Sequence, residues 1–169
     1  MVRGYQVTLA GGDGFTYGSV AGMRSLVRQA ALFPIVRAHA VAIVGGFPVQ
    51  LHPTLLRDWV AEHTLFLRDP SVGELFHQPD LLLSQIDRNG VTYVDCDDVA
   101  MLSAALGLSV GLRARFVVVA FGSPSAPYRH IWTELRVPLG NAPWIAVDPT
   151  RPAQGLTGVS ISRSLMVDV

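Results

Sequence analysis

The sequence predicts an α+β domain in which helices come first and an antiparallel sheet follows. Two changes of pattern carry this reading. Up to Leu108 the apolar residues recur at three- and four-residue intervals, as in helices with one buried face. Beyond Gly111 the period falls to two, starting with the β-branched and aromatic run Ala114–Phe121. Helices grouped ahead of strands point to α+β rather than to alternating βα units. A third observation sets the scale: 169 residues, half of them apolar and 15% charged, with no internal repeat or low-complexity linker, suit one domain with a sizeable core.

Residues 1–18 read as an N-terminal arm and 19–169 as the domain. The arm holds a short strand through Tyr5, Val7 and Leu9, then the glycine-rich turn Gly11-Gly12-Asp13-Gly14. That turn lacks the Gly-Lys-Ser/Thr ending of a phosphate loop and the spaced glycines of a dinucleotide site, so it reads as a connector. The first helix is expected over Ser19–Leu32, with Val20, Met23, Leu26, Val27 and Ala30 on one face. Pro34 opens a second helix, since proline is tolerated in a first turn. Its residues Ile35, Val36, Ala38, Val41, Ala42 and Ile43 are nearly all apolar and mark it as central. His39 within it is expected to be a satisfied boundary histidine.

Pro53 starts a third helix, on which Trp59 and His63 stand four apart and share a face. Arg68-Asp69-Pro70 ends it, 71–79 is a loop, and 80–86 is a short helix closed by the turn Arg88-Asn89-Gly90. The fourth strong helix spans Asp97–Leu108, with Gly107 or Gly111 at its end. After the strand Ala114–Phe121, the stretch Arg129–Val137 alternates. Ile131, Thr133, Leu135 and Val137 take one face; His130, Trp132, Glu134 and Arg136 take the other. Trp144–Val147 returns beside it. Two hairpin registers are open: a two-residue turn at Gly140-Asn141 sets Thr133 opposite Asp148, and a three-residue loop Pro138–Gly140 sets His130 opposite Asp148. A bulge would also serve.

Composition excludes several classes. Thirteen basic residues, all arginine, balance thirteen acidic ones, so there is no basic footprint for nucleic acid and no lysine to enter a cross-link. One cysteine rules out an internal disulfide and fits a reducing compartment. The first eighteen residues lack the apolar core of a signal peptide. The most apolar stretch, Ala30–Leu51, is broken by Pro34, Arg37, His39 and Pro48, which suits a buried helix better than a membrane span.

The chemistry centres on Val94-Asp95-Cys96-Asp97-Asp98, where the one cysteine directly precedes an amphipathic helix. A thiolate is favoured there by unpaired backbone N–H groups, which also suit an oxyanion. The flanking Asp95, Asp97 and Asp98 work against the thiolate, so an imidazolium must outweigh them. His130 is the candidate base, with Asp148 holding its second nitrogen. Consecutive carboxylates at a helix start point in different directions and match no known cation loop, so no metal is expected.

Four blocks in this order resemble the transglutaminase-like superfamily, the bacterial and phage branch of the papain-like thiol fold. They are Asp95–Leu102, Gly111–Val117, His130–Leu135 and Trp144–Thr150, within residues 94–150. The resemblance implies N-terminal helices, with the cysteine helix packed on a C-terminal antiparallel sheet. It also implies Cys96 as nucleophile, His130 as base and acid, Asp148 as orienter, and no cofactor. Animal members use an upstream tryptophan as a second oxyanion donor, for which Trp59 is the positional candidate. The implied activity is hydrolysis of peptide or amide bonds through a thioester. A phage structural or assembly component with an idle or single-use site, and a protein-glutamine amine transferase, are the alternatives. Expected partners are a peptide or protein substrate and phage structural proteins, and the expected location is a bacterial cytoplasm or a virion.

Overall fold

The computed structural model describes residues 5–7, 13–67 and 74–169, and the side-chain surroundings of 18–67, 76–152 and 154–169. The molecule is built round one helix, α5 (Cys96–Ser109), in which every residue from Asp97 to Gly107 is buried. A helix apolar on all sides needs cover on all sides. Helices α1 (Asp13–Ala30), α2 (Pro34–Val44), α3 (His52–His63) and α4 (Pro79–Asn89) supply it on one flank, and a sheet supplies it on the other. The expectation that α2 is central is corrected here. It buries only Val36, Ala40 and Val44, and Val41 is 46% exposed, because α2 lies in the outer layer.

That sheet contains β5 (Arg113–Phe121), β6 (His130–Arg136), β7 (Ile145–Val147) and β8 (Ile161–Asp168), in the order β7-β6-β5-β8 and antiparallel throughout. Its inner face sends Phe116, Val118, Ile131 and Leu135 into the core with α5. Thr133 on the same face donates Oγ1–H to the α5 carbonyl of Ala100 at 2.6 Å. Gly107, expected at the helix end, lies inside α5 at the closest approach to this sheet: a Cβ there would stand 2.5 Å from Leu135 Cδ2. Gly111, with φ +81°, turns the chain out of the helix. Arg37 closes the same end by donating Nη1–H to the Ser109 carbonyl at 2.6 Å.

The outer face carries a second apolar cluster of Val117, Val119 and Trp132. Beside it Arg115 pairs with Glu134 at 2.6 Å, and the Arg115 and Arg136 guanidiniums lie 4.3 and 4.6 Å from the Trp144 ring.

Four strands were not expected. β2 (Thr64–Phe66) pairs in parallel with β4 (Thr92–Val94), and β1 (Tyr5–Val7) pairs antiparallel with β3 (Glu74–Phe76). Of these only β1 was anticipated, and three-residue strands are too short to show a period. The fourth is β8. The apolar tail pairs along β5 and packs Leu165 and Val167 on the core. A further short helix, α6 (Thr150–Ala153), follows β7. Asp13 and Gly14, expected in a turn, begin α1. Leu9, Gly11, Gly12 and the segment 68–73, with Arg68-Asp69-Pro70, lie outside the described residues.

Among the described residues no single helix is long and apolar enough to cross a membrane. Gly18–Ala30 and Pro34–Val44 together have the length and composition, but they are bent by 79° and bury Val20, Met23, Val27, Val36 and Ala40 in the core.

Candidate active site

The thiol is presented by a helix start. β4 delivers the chain to Asp95, whose extended backbone and side chain cap α5 by accepting the Asp98 N–H at 3.3 Å. Cys96 is therefore the first helical residue, half-buried, at the positive end of the helix dipole. Asp98 turns inward. Its carboxylate accepts the His77 backbone N–H at 2.8 Å and the His77 Nδ1–H at 2.7 Å, tying the end of β3 to the cysteine helix. Burial pushes the Asp98 carboxyl up to about 6, opposed by the His77 hydrogen bonds and aided by the charge of Asp95.

The acidic residues converge rather than diverge, with one oxygen from each of Asp95, Asp97 and Asp98 within 4.8 Å of one another. The expected splay fails because Asp95 sits outside the helix as its cap and folds back over the first turn. Asp95 and Asp98 are engaged in the cap and the His77 clamp.

His130 opens β6, and its side chain is fully buried. Nε2 lies 2.9 and 3.0 Å from the two oxygens of Asp148. A nitrogen facing two carboxylate oxygens must be the donor, so the ring proton sits on Nε2 and Nδ1 is the accepting nitrogen. Nδ1 in turn lies 3.2 Å from Gln154 Nε2. The ring is flanked by Phe121 and Trp132, with centroids 6.5 and 5.8 Å away. Asp148 follows β7 directly and is held by the Thr150 hydroxyl at 3.3 Å and the Arg151 N–H at 3.1 Å, the local turn that aspartate favours.

The hairpin takes neither expected register. Thr133 stands opposite Val147, so His130 and Asp148 project from the same face as diagonal neighbours. Diagonal neighbours lie within reach of an imidazole, which explains the contact without a facing pair. A register with Thr133 opposite Asp148 would have put His130 on the other face.

Cys96 and His130 both line one cleft of about 130 Å³. Val20 and Met23 of α1, Phe76 at the end of β3 and Tyr128 before β6 form much of its wall. Trp59 is elsewhere. It does not line this cleft, its ring stacks on His63 at 4.4 Å, and it lies 5.7 Å from the His39 ring. His63 donates Nδ1–H to the Trp59 carbonyl at 2.8 Å, and His39 Nε2 meets Asp87 at 3.1 Å. Thus the structure joins His130 to Asp148, sets Cys96 in the cleft that His130 lines, and leaves Trp59 between helices.

Three neighbours were not anticipated: His77, Gln154 and the wall residue Phe76. His77 and Phe76 follow a segment with no readable pattern, and Gln154 lies in a turn, so no periodicity singles them out.

A thiol on the first turn of a buried helix, packed on an antiparallel sheet that carries an imidazole–carboxylate pair, defines the papain-like thiol fold. Within that class the chain belongs to the transglutaminase-like superfamily, whose family model matches residues 54–149, more than half of its length. Among solved structures it is similar to a chain described as a "putative protease" from Parabacteroides distasonis ATCC 8503, with a TM-score of 0.56 and 14% identity. That match covers 87% of this chain and 30% of the other, so the chain spans about a third of that protein. At such identity the likeness is one of fold. No curated protein matches the sequence.

Proposed function

We propose that this protein is a cysteine hydrolase of peptide or amide bonds, with Cys96 as nucleophile, His130 as general base and acid, and Asp148 as orienter. The observation that carries the reading is the His130 Nε2–Asp148 pair, with His130 lining the same cleft as Cys96. Asp148 keeps the ring proton on Nε2, so Nδ1 is the nitrogen that accepts from a thiol. The thiol proton passes to Nδ1 as Sγ bonds to the substrate carbonyl carbon. The oxyanion forms near the backbone N–H groups at the start of α5. Imidazolium returns the proton to the leaving amine as the C–N bond breaks, leaving a thioester. Water, deprotonated by His130, then releases the acid and regenerates the thiol.

Hydrolysis is favoured over amine transfer because water needs no second binding site. The cleft is small and largely apolar, which fits one side chain of a peptide better than two proteins at once. A phage or prophage setting remains part of the proposal, as the resemblance of the four blocks implies. The test is digestion of denatured peptide libraries with wild type and Cys96→Ala. Cleavage that disappears with the thiol supports the reading, and cleavage by neither protein rejects it. Incorporation of a fluorescent amine into glutamine peptides, with no net hydrolysis, would move the assignment to amine transfer.

A further inference from the structure

The proposed base is already occupied. In a neutral imidazole whose Nε2–H donates to Asp148, Nδ1 has one lone pair, directed in the ring plane. The amide nitrogen of Gln154 stands 3.2 Å from that atom. A thiol giving its proton to His130 must use the same lone pair. Gln154 is also held firmly. Its backbone N–H closes on the Thr150 carbonyl at 3.0 Å, and the Gly155 N–H closes on the Pro152 carbonyl at 3.0 Å. Arg151 binds the same segment together, donating Nε–H to Leu156 and Nη2–H to Val159, both at 3.3 Å. The first residues of this segment also hold Asp148, through the Thr150 hydroxyl and the Arg151 N–H. One short stretch, 150–159, therefore governs both nitrogens of His130.

We propose that Gln154 is an intramolecular competitor for Nδ1 of His130, so that the protein rests with its base capped and the Gln154 amide must leave Nδ1, by rotation or by loosening of segment 150–159, before Cys96 can be deprotonated. This rests on the functional reading above. Gln154 is a positioning residue, acting through the imidazole. Its amide stabilises the neutral ring in particular, because an N–H facing Nδ1 opposes protonation there. Rotating the amide by half a turn would present the carbonyl oxygen to an Nδ1–H instead, so the cap is released by amide rotation as well as by movement of the segment. The charged groups around the ring are Asp148, which is common to both states, Asp97 and Arg129, which line the same cleft as His130, and Arg151, whose guanidinium lies over Phe121 at 5.8 Å and is engaged by the two carbonyls.

The experiment follows two signals in the full chain, for wild type, Gln154→Ala and the near-isosteric Gln154→Glu. The first is the rate of Cys96 alkylation by iodoacetamide against pH. Gln154→Ala should raise the rate near pH 6 by roughly two- to tenfold, the range one neutral hydrogen bond commands. That gain should vanish in a His130→Ala background. An unchanged or lowered rate overturns the cap. The second is the ¹⁵N NMR titration of the His130 ring, which needs no thiol chemistry. Its midpoint should rise in Gln154→Ala by roughly half a unit to one unit. It should rise further in Gln154→Glu, where a carboxylate favours the imidazolium. A midpoint that stays put in both variants overturns the proposal, and Gln154→Glu keeps this readout available if the alanine variant fails to fold. If His130→Ala leaves the alkylation profile of wild type untouched, the nucleophile–base reading falls, while the NMR titration still judges the contact between Gln154 and the ring.

Discussion

Asp98 accepts two hydrogens from His77, the backbone N–H at 2.8 Å and Nδ1–H at 2.7 Å, from a position that is 1% exposed. This histidine–carboxylate pair lies two residues from the thiol and holds Phe76, a wall of the cleft, against the cysteine helix. It serves the frame rather than the proton transfer, because its carboxylate faces the core.

The same pair sets a pH dependence of stability. Burial raises the Asp98 carboxyl from 3.8 to about 6, so the folded chain holds this proton more tightly than the unfolded one. Its contribution is therefore full below the unfolded value and is lost as pH rises through about 6. The shift corresponds to a loss on the order of 3 kcal/mol. Urea unfolding of Asp98→Asn, set against wild type near pH 4 and pH 7.5, should show the variant gaining relative stability by about that amount at the higher pH. A difference independent of pH would contradict a raised Asp98 titration.

Thr133 joins the sheet to the helix through its bond to the Ala100 carbonyl, in a fully buried setting. Thr133→Val keeps the shape and removes the donor. The expected loss is about 1 kcal/mol in denaturant unfolding with an unchanged m-value. No loss would show that the helix carbonyl gains nothing from the hydroxyl.

Gly107 is needed for contact. Alanine improves helix propensity by about 1 kcal/mol, but its methyl would meet Leu135 at 2.5 Å in a closed core. Overpacking costs roughly 1–3 kcal/mol, so Gly107→Ala should be net destabilising by about 1 kcal/mol. Trimming the partner should relieve it. In a double-mutant cycle with Leu135→Val, a favourable coupling of about 1 kcal/mol is expected by chemical denaturation. Simple additivity would mean that Leu135 moves aside at no cost.

Cys96 is the chain's one thiol, so its alkylation is read without interference. If His130 and Asp148 sustain a thiolate, the wild-type reaction should have its midpoint below the reference of about 8.5. His130→Ala should return it to that reference or above it, given the acidic neighbours. Asp148→Asn preserves an acceptor for Nε2–H but removes the charge that stabilises an imidazolium, and should lift the midpoint by about one unit or more. A thiol indifferent to both changes would leave the fold as the only inheritance from the superfamily.

Much was legible in the sequence because it is local. The switch of period after Leu108 located the helices and the three strands β5, β6 and β7. The residue type before an apolar helix placed Cys96 at a helix start, and the motif order singled out His130 and Asp148. Asp95 as a cap follows from the same short window. What failed was long-range. The register between β6 and β7 depends on how an eight-residue connection packs, and two plausible turns both missed it. β8 alternates weakly, since only Leu165 and Val167 face the core, and its partner lies over forty residues away. Apolarity pointed to α2 as the central helix, but that place belongs to α5, because centrality is a property of what surrounds a helix. Trp59 shares a face with His63 in any helix, but which space that face meets is set by how α2 and α3 pack. The sequence by itself determined which residues can carry the chemistry and which face of each element they occupy, since those depend on side-chain type and backbone period. Only the tertiary structure decided that His130 meets Asp148 diagonally, that Gln154 reaches the opposite ring nitrogen and that His77 clamps the cysteine helix, because such contacts arise where separate elements are packed to a fraction of an ångström.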